Sequence, residues 1–193
     1  MKNPDVRIEE IQTLSDNWYH LKKVIFEIKQ SDGLWHKQAR ECYDRGNGAA
    51  ILLYHPIRKT VILTKQFRMP TYINGNDDGF LIEVCAGVLD GDDPATCIRR
   101  ETQEETGYTI TAHTYLFDLY MSPGSVTETL SFFIAEYSDA KKTSKGGGLA
   151  EEAEDIEILE LPFSQAMEML KNGQIKDAKT TILLQHLKLS GFQ

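Results

Sequence analysis

Gly87-Val-Leu-Asp-Gly-Asp-Asp-Pro-Ala-Thr-Cys-Ile-Arg-Arg-Glu-Thr-Gln-Glu-Glu-Thr-Gly-Tyr108 is the stretch from which the rest of the chain can be read. Asp93 is a good N-cap, Pro94 suits the first helical position, and Gly107 supplies the left-handed residue that ends a helix. The signals predict a capped helix of about three turns after a glycine loop. Glu101 and Glu105 stand four apart and share one face, and Arg100 and Glu104 form a second such pair beside them. Like charges at that spacing cost an exposed helix only about a few tenths of a kcal/mol. A bound divalent cation reverses the penalty, because hard cations take oxygen ligands, and magnesium is the natural candidate. The competing reading is a solvated acidic face, common on ordinary surfaces.

The order of the surrounding residues separates the two. Glycine, carboxylate, Arg-Glu, Glu-Glu and Gly-aromatic recur at offsets that resemble the Nudix box, G-x5-E-x7-R-E-U-x-E-E-x-G-U with U apolar, the signature of the Nudix hydrolases. Arg100, Glu101, Glu104, Glu105, Gly107 and Tyr108 fit its downstream half, with Thr102 in place of an apolar residue. Upstream, Asp93 replaces glutamate and six residues rather than seven separate it from Arg100. This departure puts a role for Asp93 in doubt and leaves the helix untouched. Beyond the box, Arg45-Gly-Asn-Gly-Ala-Ala-Ile-Leu-Leu-Tyr, Lys65-Gln-Phe-Arg68, Leu81-Ile-Glu-Val-Cys-Ala-Gly87, Tyr120-Met-Ser-Pro-Gly-Ser-Val-Thr-Glu128 and Phe132-Phe-Ile-Ala-Glu-Tyr137 resemble the ADP-ribose and nucleotide-sugar branch. Pro123 falls sixteen positions past Gly107, as is typical there. The Asp16-Asn-Trp-Tyr segment, the shortened box and Gly146-Gly-Gly148 are most similar to that branch's GDP-mannose pyrophosphatases.

The resemblance implies a fold and a set of residues. The fold is α/β, a Nudix-type α/β/α sandwich with an N-terminal antiparallel β lobe. The activity is magnesium-dependent hydrolysis of a nucleoside diphosphate sugar, GDP-mannose to GMP and mannose 1-phosphate, with ADP-ribose hydrolysis or a non-catalytic nucleotide-sugar sensor as alternatives. Metal ligands would be Glu101, Glu105, Glu154 and the carbonyl of Ala86, with Glu104 nearby and Arg100 orienting carboxylates. Arg68 would grip phosphate, since a guanidinium fork binds oxygens bidentately; its bland alternative is a salt bridge to a neighbouring strand. Trp18, Arg40, Glu41, Gly87, Glu128 and Lys179 complete the substrate contacts, Trp18 stacking on the base, with plain core packing as its competitor.

Phosphoanhydride hydrolysis also needs a group to take the proton of water. Residues 138 to 155 run through Lys-Lys, three glycines and then Glu151, Glu152, Glu154 and Asp155. A loop this long without periodicity is usually functional or disordered. Glu154 is the best match for its catalytic glutamate, Glu152 close behind, and a merely solvated acidic loop is the competing reading.

Bulk properties agree with a soluble enzyme. The 193 residues are 41% hydrophobic and 26% charged, enough to bury a full core. No apolar run approaches the roughly 20 residues a bilayer requires, and the start shows no signal-peptide core, so a cytoplasmic protein without membrane contact is expected. The net charge of -8 argues against nucleic acid as a partner. Cys42, Cys85 and Cys97 lack metal spacing and read as reduced core residues, and the dispersal of the five histidines argues against a zinc site.

Residues 1–45 read as a β lobe: Val24, Phe26 and Ile28 alternate with polar neighbours, Ser31-Asp-Gly33 turns, and a second strand follows over 34–42. An isolated hairpin is marginal in water, and the branch exchanges this lobe across a two-fold axis; a homodimer is expected. Residues 46–193 form the hydrolase domain. Its strands are expected at 50–54, 60–67, 80–85, 114–121, 130–137 and 157–161, and helices at 164–171 and 177–190 besides the box helix.

Overall fold

A computed structural model describes residues 3–149, 151 and 154–192, and divides the chain into two units. The first runs to Asn47 and takes in Tyr120–Thr129; the second holds Gly48–Leu119 and the chain from Leu130 onward.

In the first unit, β1 (Val6–Asp16), β2 (His20–Lys29) and β3 (Trp35–Asp44) form an antiparallel sheet in that order. The expected hairpin is β2 and β3, joined through Gly33 at φ 80°. β1 corrects the sequence reading. Its pairing with β2 slips between Ile8 and Glu10 and again between Thr13 and Ser15. Each bulge inserts a residue, so the apolar positions Ile8, Ile11 and Leu14 fall three apart and escape a period-two search. Segment 120–129 is laced to the end of β3, the Tyr43 amide donating to Ser125 O at 2.7 Å and the Thr127 amide to Tyr43 O at 3.0 Å.

The second unit is built on a seven-stranded sheet. β4 (Gly48–His55) is central, parallel to β9 (Thr129–Glu136) and antiparallel to β5 (Thr60–Phe67), with β10 (Glu157–Pro162) and β8 (Thr114–Tyr120) outermost. The expected strand 80–85 is two short strands, β6 (Phe80–Glu83) on β5 and β7 (Cys85–Val88) on β4. A short helix, α1 (Met69–Ile73), lies between β5 and β6, where no element was expected.

Side chains alternate across a strand, and β4 uses both faces. Ala49, Ile51 and Leu53 join Cys97 and Ile98 of α2 (Pro94–Glu101) in one core, together with Phe133 and Tyr137. The opposite face meets α3 (Phe163–Lys171) and α4 (Ala178–Leu189), where Phe192 packs edge-on against Tyr54 and Phe163. Helices on both faces of a mixed sheet make the expected α/β/α sandwich, and account for the almost unbroken apolar run of β4. The three cysteines are unpaired, Cys85 and Cys97 buried and Cys42 half-buried.

Candidate active site

The box helix starts as its sequence dictates. The Asp93 carboxylate accepts from the Ala95 amide at 3.0 Å and the Thr96 amide at 3.1 Å, with Pro94 beginning the helix and Gly107, φ 77°, ending it. With its oxygens so engaged, Asp93 caps the helix. After Glu101 the coil widens into a π turn over Thr102–Thr106, a geometry frequent at functional sites. Thr102 is fully buried without an orphan hydroxyl, since Oγ1 donates to Ile98 O at 2.6 Å.

The three glutamates receive different surroundings. Glu104 is anchored by Arg100, whose Nη1 lies 3.0 Å from Glu104 Oε2 and 3.0 Å from Glu101 Oε1. Glu101 lies against Gly87, where a Cβ would come within 2.1 Å of the Glu101 carboxyl carbon. Glu105 turns inward to 3% exposure, and its Oε2 has no hydrogen-bond partner among the described residues. Burial pushes the Glu105 carboxyl up to about 8 against a Cys85 hydrogen bond, with the charges of Glu101 and Glu154 adding to the rise. Burial likewise raises Glu101 to about 7, opposed by Arg100 and reinforced by Glu104 and Glu154.

Glu154 lies near enough to the box helix for its charge to raise both Glu101 and Glu105. Its Oε2 accepts from the Leu149 amide at 3.0 Å and its own amide donates to Leu149 O at 3.2 Å. The three glycines dock this loop on the helix end: the Gly147 amide donates to Glu105 O at 2.8 Å and the Gly148 amide to Glu104 O at 3.1 Å. A Cβ on Gly146 would meet the Glu105 carbonyl at 2.7 Å. A cavity of about 420 Å³ opens between helix and loop, lined in part by Arg100, Gln103, Glu104, Ser144 and Lys145. Glu151 is exposed, while Glu152 lies outside the described residues.

A second charged group sits at the end of β5. Arg68 Nε donates to Glu83 Oε2 at 2.7 Å; Lys179 Nζ bonds Glu83 Oε1 and, at 2.9 Å, Asp177 Oδ1. Arg68 thus makes the strand-to-strand salt bridge named as its bland alternative, and Arg68 also lowers the carboxyl pKa of Glu105. Glu83 and Asp177 were not anticipated. An acidic residue inside an otherwise apolar strand was the available signal for Glu83.

The remaining candidates belong to the first unit. Trp18 is 87% exposed, which removes plain core packing as its explanation. The Arg40 guanidinium bonds Ala39 O and Gln38 Oε1, and Glu41 is exposed on β3 beside Lys23 of β2. Glu128 is buried and pairs with Arg45 Nε at 3.3 Å. Gly87 and Ala86 stand on β7 in the second unit. The second unit therefore gathers the box acids, Arg100, Glu154, Arg68 and Lys179, and the first holds Trp18, Arg40, Glu41 and Glu128.

No three His, Cys, Asp or Glu side chains among the described residues are clustered closely enough to cage an ion unaided. The chemistry of the donors fits a hard divalent cation nevertheless. A buried carboxylate oxygen without a partner is costly, and neighbouring carboxylates raise one another's pKa when no cation neutralises them.

Comparison with known proteins gives a consistent picture. Residues 5–43 match the family described as the GDP-mannose pyrophosphatase NudK N-terminal domain, and residues 44–184 match the NUDIX domain. A GDP-mannose pyrophosphatase of Klebsiella pneumoniae subsp. pneumoniae is 52% identical over 187 residues, 97% of this chain and 93% of the relative. The enzyme of that name from Escherichia coli O1:K1 is 55% identical over 177 residues, 92% of each chain. The crystal structure of an ADP compounds hydrolase covers 100% of both chains with a TM-score of 0.71 at 18% identity, a likeness of fold.

Proposed function

The chain belongs to the Nudix hydrolase family, and on that premise we propose that it hydrolyses the pyrophosphate bond of GDP-mannose, consuming one water and releasing GMP and mannose 1-phosphate. The observation that carries this reading is the extent of the likeness to GDP-mannose pyrophosphatases, which spans the N-terminal lobe as well as the hydrolase domain. Family membership makes the protein a pyrophosphatase that works with a divalent metal; we take the metal to be magnesium. Its proposed ligands are Glu101, Glu105, Glu154 and the Ala86 carbonyl. Bound there, magnesium would supply the positive charge that a diphosphate needs in an acidic site.

Each residue has a defined task under this reading. Arg68 and Lys179 hold phosphate oxygens, using N–H groups that their carboxylate partners leave free. Glu154 accepts the proton of the attacking water. Arg100 keeps Glu101 and Glu104 apart in charge and fixed in place, Gly87 leaves room for Glu101 at the substrate, and Trp18 offers an exposed ring on which a base can stack. Arg40, Glu41 and Glu128 are proposed to read the base and sugar.

We propose further that residues 1–45 serve dimerisation and base recognition and residues 46–193 catalysis, in a cytoplasmic homodimer without nucleic-acid or membrane partners. The outward Ile8, Ile11 and Leu14 of β1 support association, being 47–59% exposed on a small sheet. No described helix is long and apolar enough to cross a membrane. Light scattering at micromolar concentration tests the dimer, and a monomer would refute it.

The activity is tested by phosphomonoester release from GDP-mannose and ADP-ribose, with magnesium and with chelator. Magnesium-dependent release from GDP-mannose in preference is expected. Preference for ADP-ribose would transfer the chain to the ADP-ribose branch, and tight binding without turnover would make it a sensor.

A further inference from the structure

Glu83 closes β6 with 2% of its surface exposed. Its two oxygens are shared between cations from distant parts of the sequence, Oε2 accepting from Arg68 Nε and Oε1 from Lys179 Nζ. Lys179 is held a second time by Asp177, whose other carboxylate oxygen accepts from the Thr180 amide at 2.8 Å to cap α4. The Thr180 hydroxyl in turn accepts from the Val84 amide at 2.8 Å, one residue beyond Glu83. The path from Glu83 through Lys179, Asp177 and Thr180 returns to the chain at Val84, so the start of α4 is fixed to the end of β6.

Stability alone is a poor reason for this arrangement. Replacing a buried ion pair by well-packed apolar groups is often neutral or favourable. The geometry carries another reason. Nε is one of five N–H groups on a planar fork, and neither Nη1 nor Nη2 of Arg68 has a hydrogen-bond partner among the described residues, while the side chain is 39% exposed. One edge of the guanidinium is fixed and the other is presented outward. Lys179 Nζ spends two of its three N–H bonds on Glu83 and Asp177, keeping one.

We propose that Glu83 is a positioning residue: its single carboxylate sets the outward edge of Arg68 and the remaining N–H of Lys179 toward one anion, the diphosphate of the substrate. The proposal rests on the assignment of Arg68 and Lys179 as phosphate contacts under the proposed function. It differs in sign from a purely electrostatic role. A buried negative charge beside an anion site weakens anion binding, so if charge were all that mattered, its removal would tighten substrate binding. Positioning requires the opposite, because an amide at position 83 cannot accept from both cations as a carboxylate does.

The test is Glu83→Gln in the full-length enzyme with GDP-mannose and magnesium, alone and combined with Arg68→Ala. KM should rise about tenfold with kcat within about threefold of wild type, the scale of one charge-assisted hydrogen bond. The rise should be clearly smaller when Arg68 is already absent, because only the share that passes through Lys179 is left. A folded E83Q with KM unchanged or lowered overturns the proposal, as does an equal rise with and without Arg68. Should E83Q fail to fold, the Arg68 Nε–H of the wild-type protein decides by ¹⁵N NMR. Exchange slowed in both the free and GMP-bound enzyme is expected, and exchange at the solvent rate in the free enzyme overturns the clamp. If R68A itself leaves KM unchanged, the phosphate assignment fails; if R68A raises KM and folded E83Q does not, the clamp alone fails.

Discussion

Gly87 and Glu101 touch across the gap between β7 and α2: a Cβ on Gly87 would lie 2.1 Å from Glu101 Oε1. This glycine is required by space and not by backbone conformation. In Gly87→Ala the methyl must displace the carboxylate that Arg100 holds in place, so turnover should fall about a hundredfold while the circular dichroism spectrum stays native. An alanine variant at full rate would show that the Glu101 carboxylate need not occupy this spot during catalysis.

Glu105 and Glu101, raised to about 8 and about 7, make a pH prediction for the metal-free protein. A carboxyl whose folded pKa lies above its unfolded value binds more protons when folded, so its penalty is full above the folded pKa and is relieved as pH falls toward the unfolded one. In chelator, the melting temperature should therefore climb as pH drops from about 8 to about 5. Glu105→Gln should flatten that climb and, with magnesium present, cut turnover by about two orders of magnitude or more. A chelated wild type whose stability rises with pH through this window would contradict the account.

How much of this was visible in the residues follows from where each structural decision is made. The box helix was legible because Asp93, Pro94 and Gly107 act locally, through caps and backbone preference. The central strands were legible because both faces of β4 are buried, leaving an apolar run. β1 was hidden by bulges, which break the two-residue period while preserving the strand. The π turn was hidden because no residue type announces it. Glu83 and Lys179 lie 96 positions apart and meet only through the packing of α4 on the sheet; no local pattern joins them. For Asp93 the structure adds a cap: Oδ1 accepts from the Ala95 and Thr96 amides and Oδ2 from the Thr96 hydroxyl.

That capping geometry gives a prediction of its own. Asp93→Ala should cost about 1 kcal/mol of stability, the usual loss of an N-cap, and leave magnesium affinity unchanged. Thermal melts and metal titration by calorimetry check the two halves separately. A collapse of magnesium affinity would place Asp93 in the ligand set.

The loop glutamate offers the sharpest test of the site. Glu154 is held by a turn in which its Oε2 accepts from the Leu149 amide and its backbone is bonded to Leu149 O. Gly148 is as necessary to that turn as Gly87 is to Glu101, since a Cβ there would lie 2.5 Å from Glu154 Oε2. A carboxylate so fixed beside Glu101 and Glu105 can take a proton from water without moving. Glu154→Gln keeps the volume and one acceptor but loses the basicity, so kcat should fall about a hundredfold or more with KM changed only a few-fold. Gly148→Ala should reproduce part of the kcat loss by pushing the intact carboxylate aside. If Glu152→Gln carries the loss instead and Glu154→Gln turns over normally, the base is two residues earlier and the turn at Leu149 only shapes the loop.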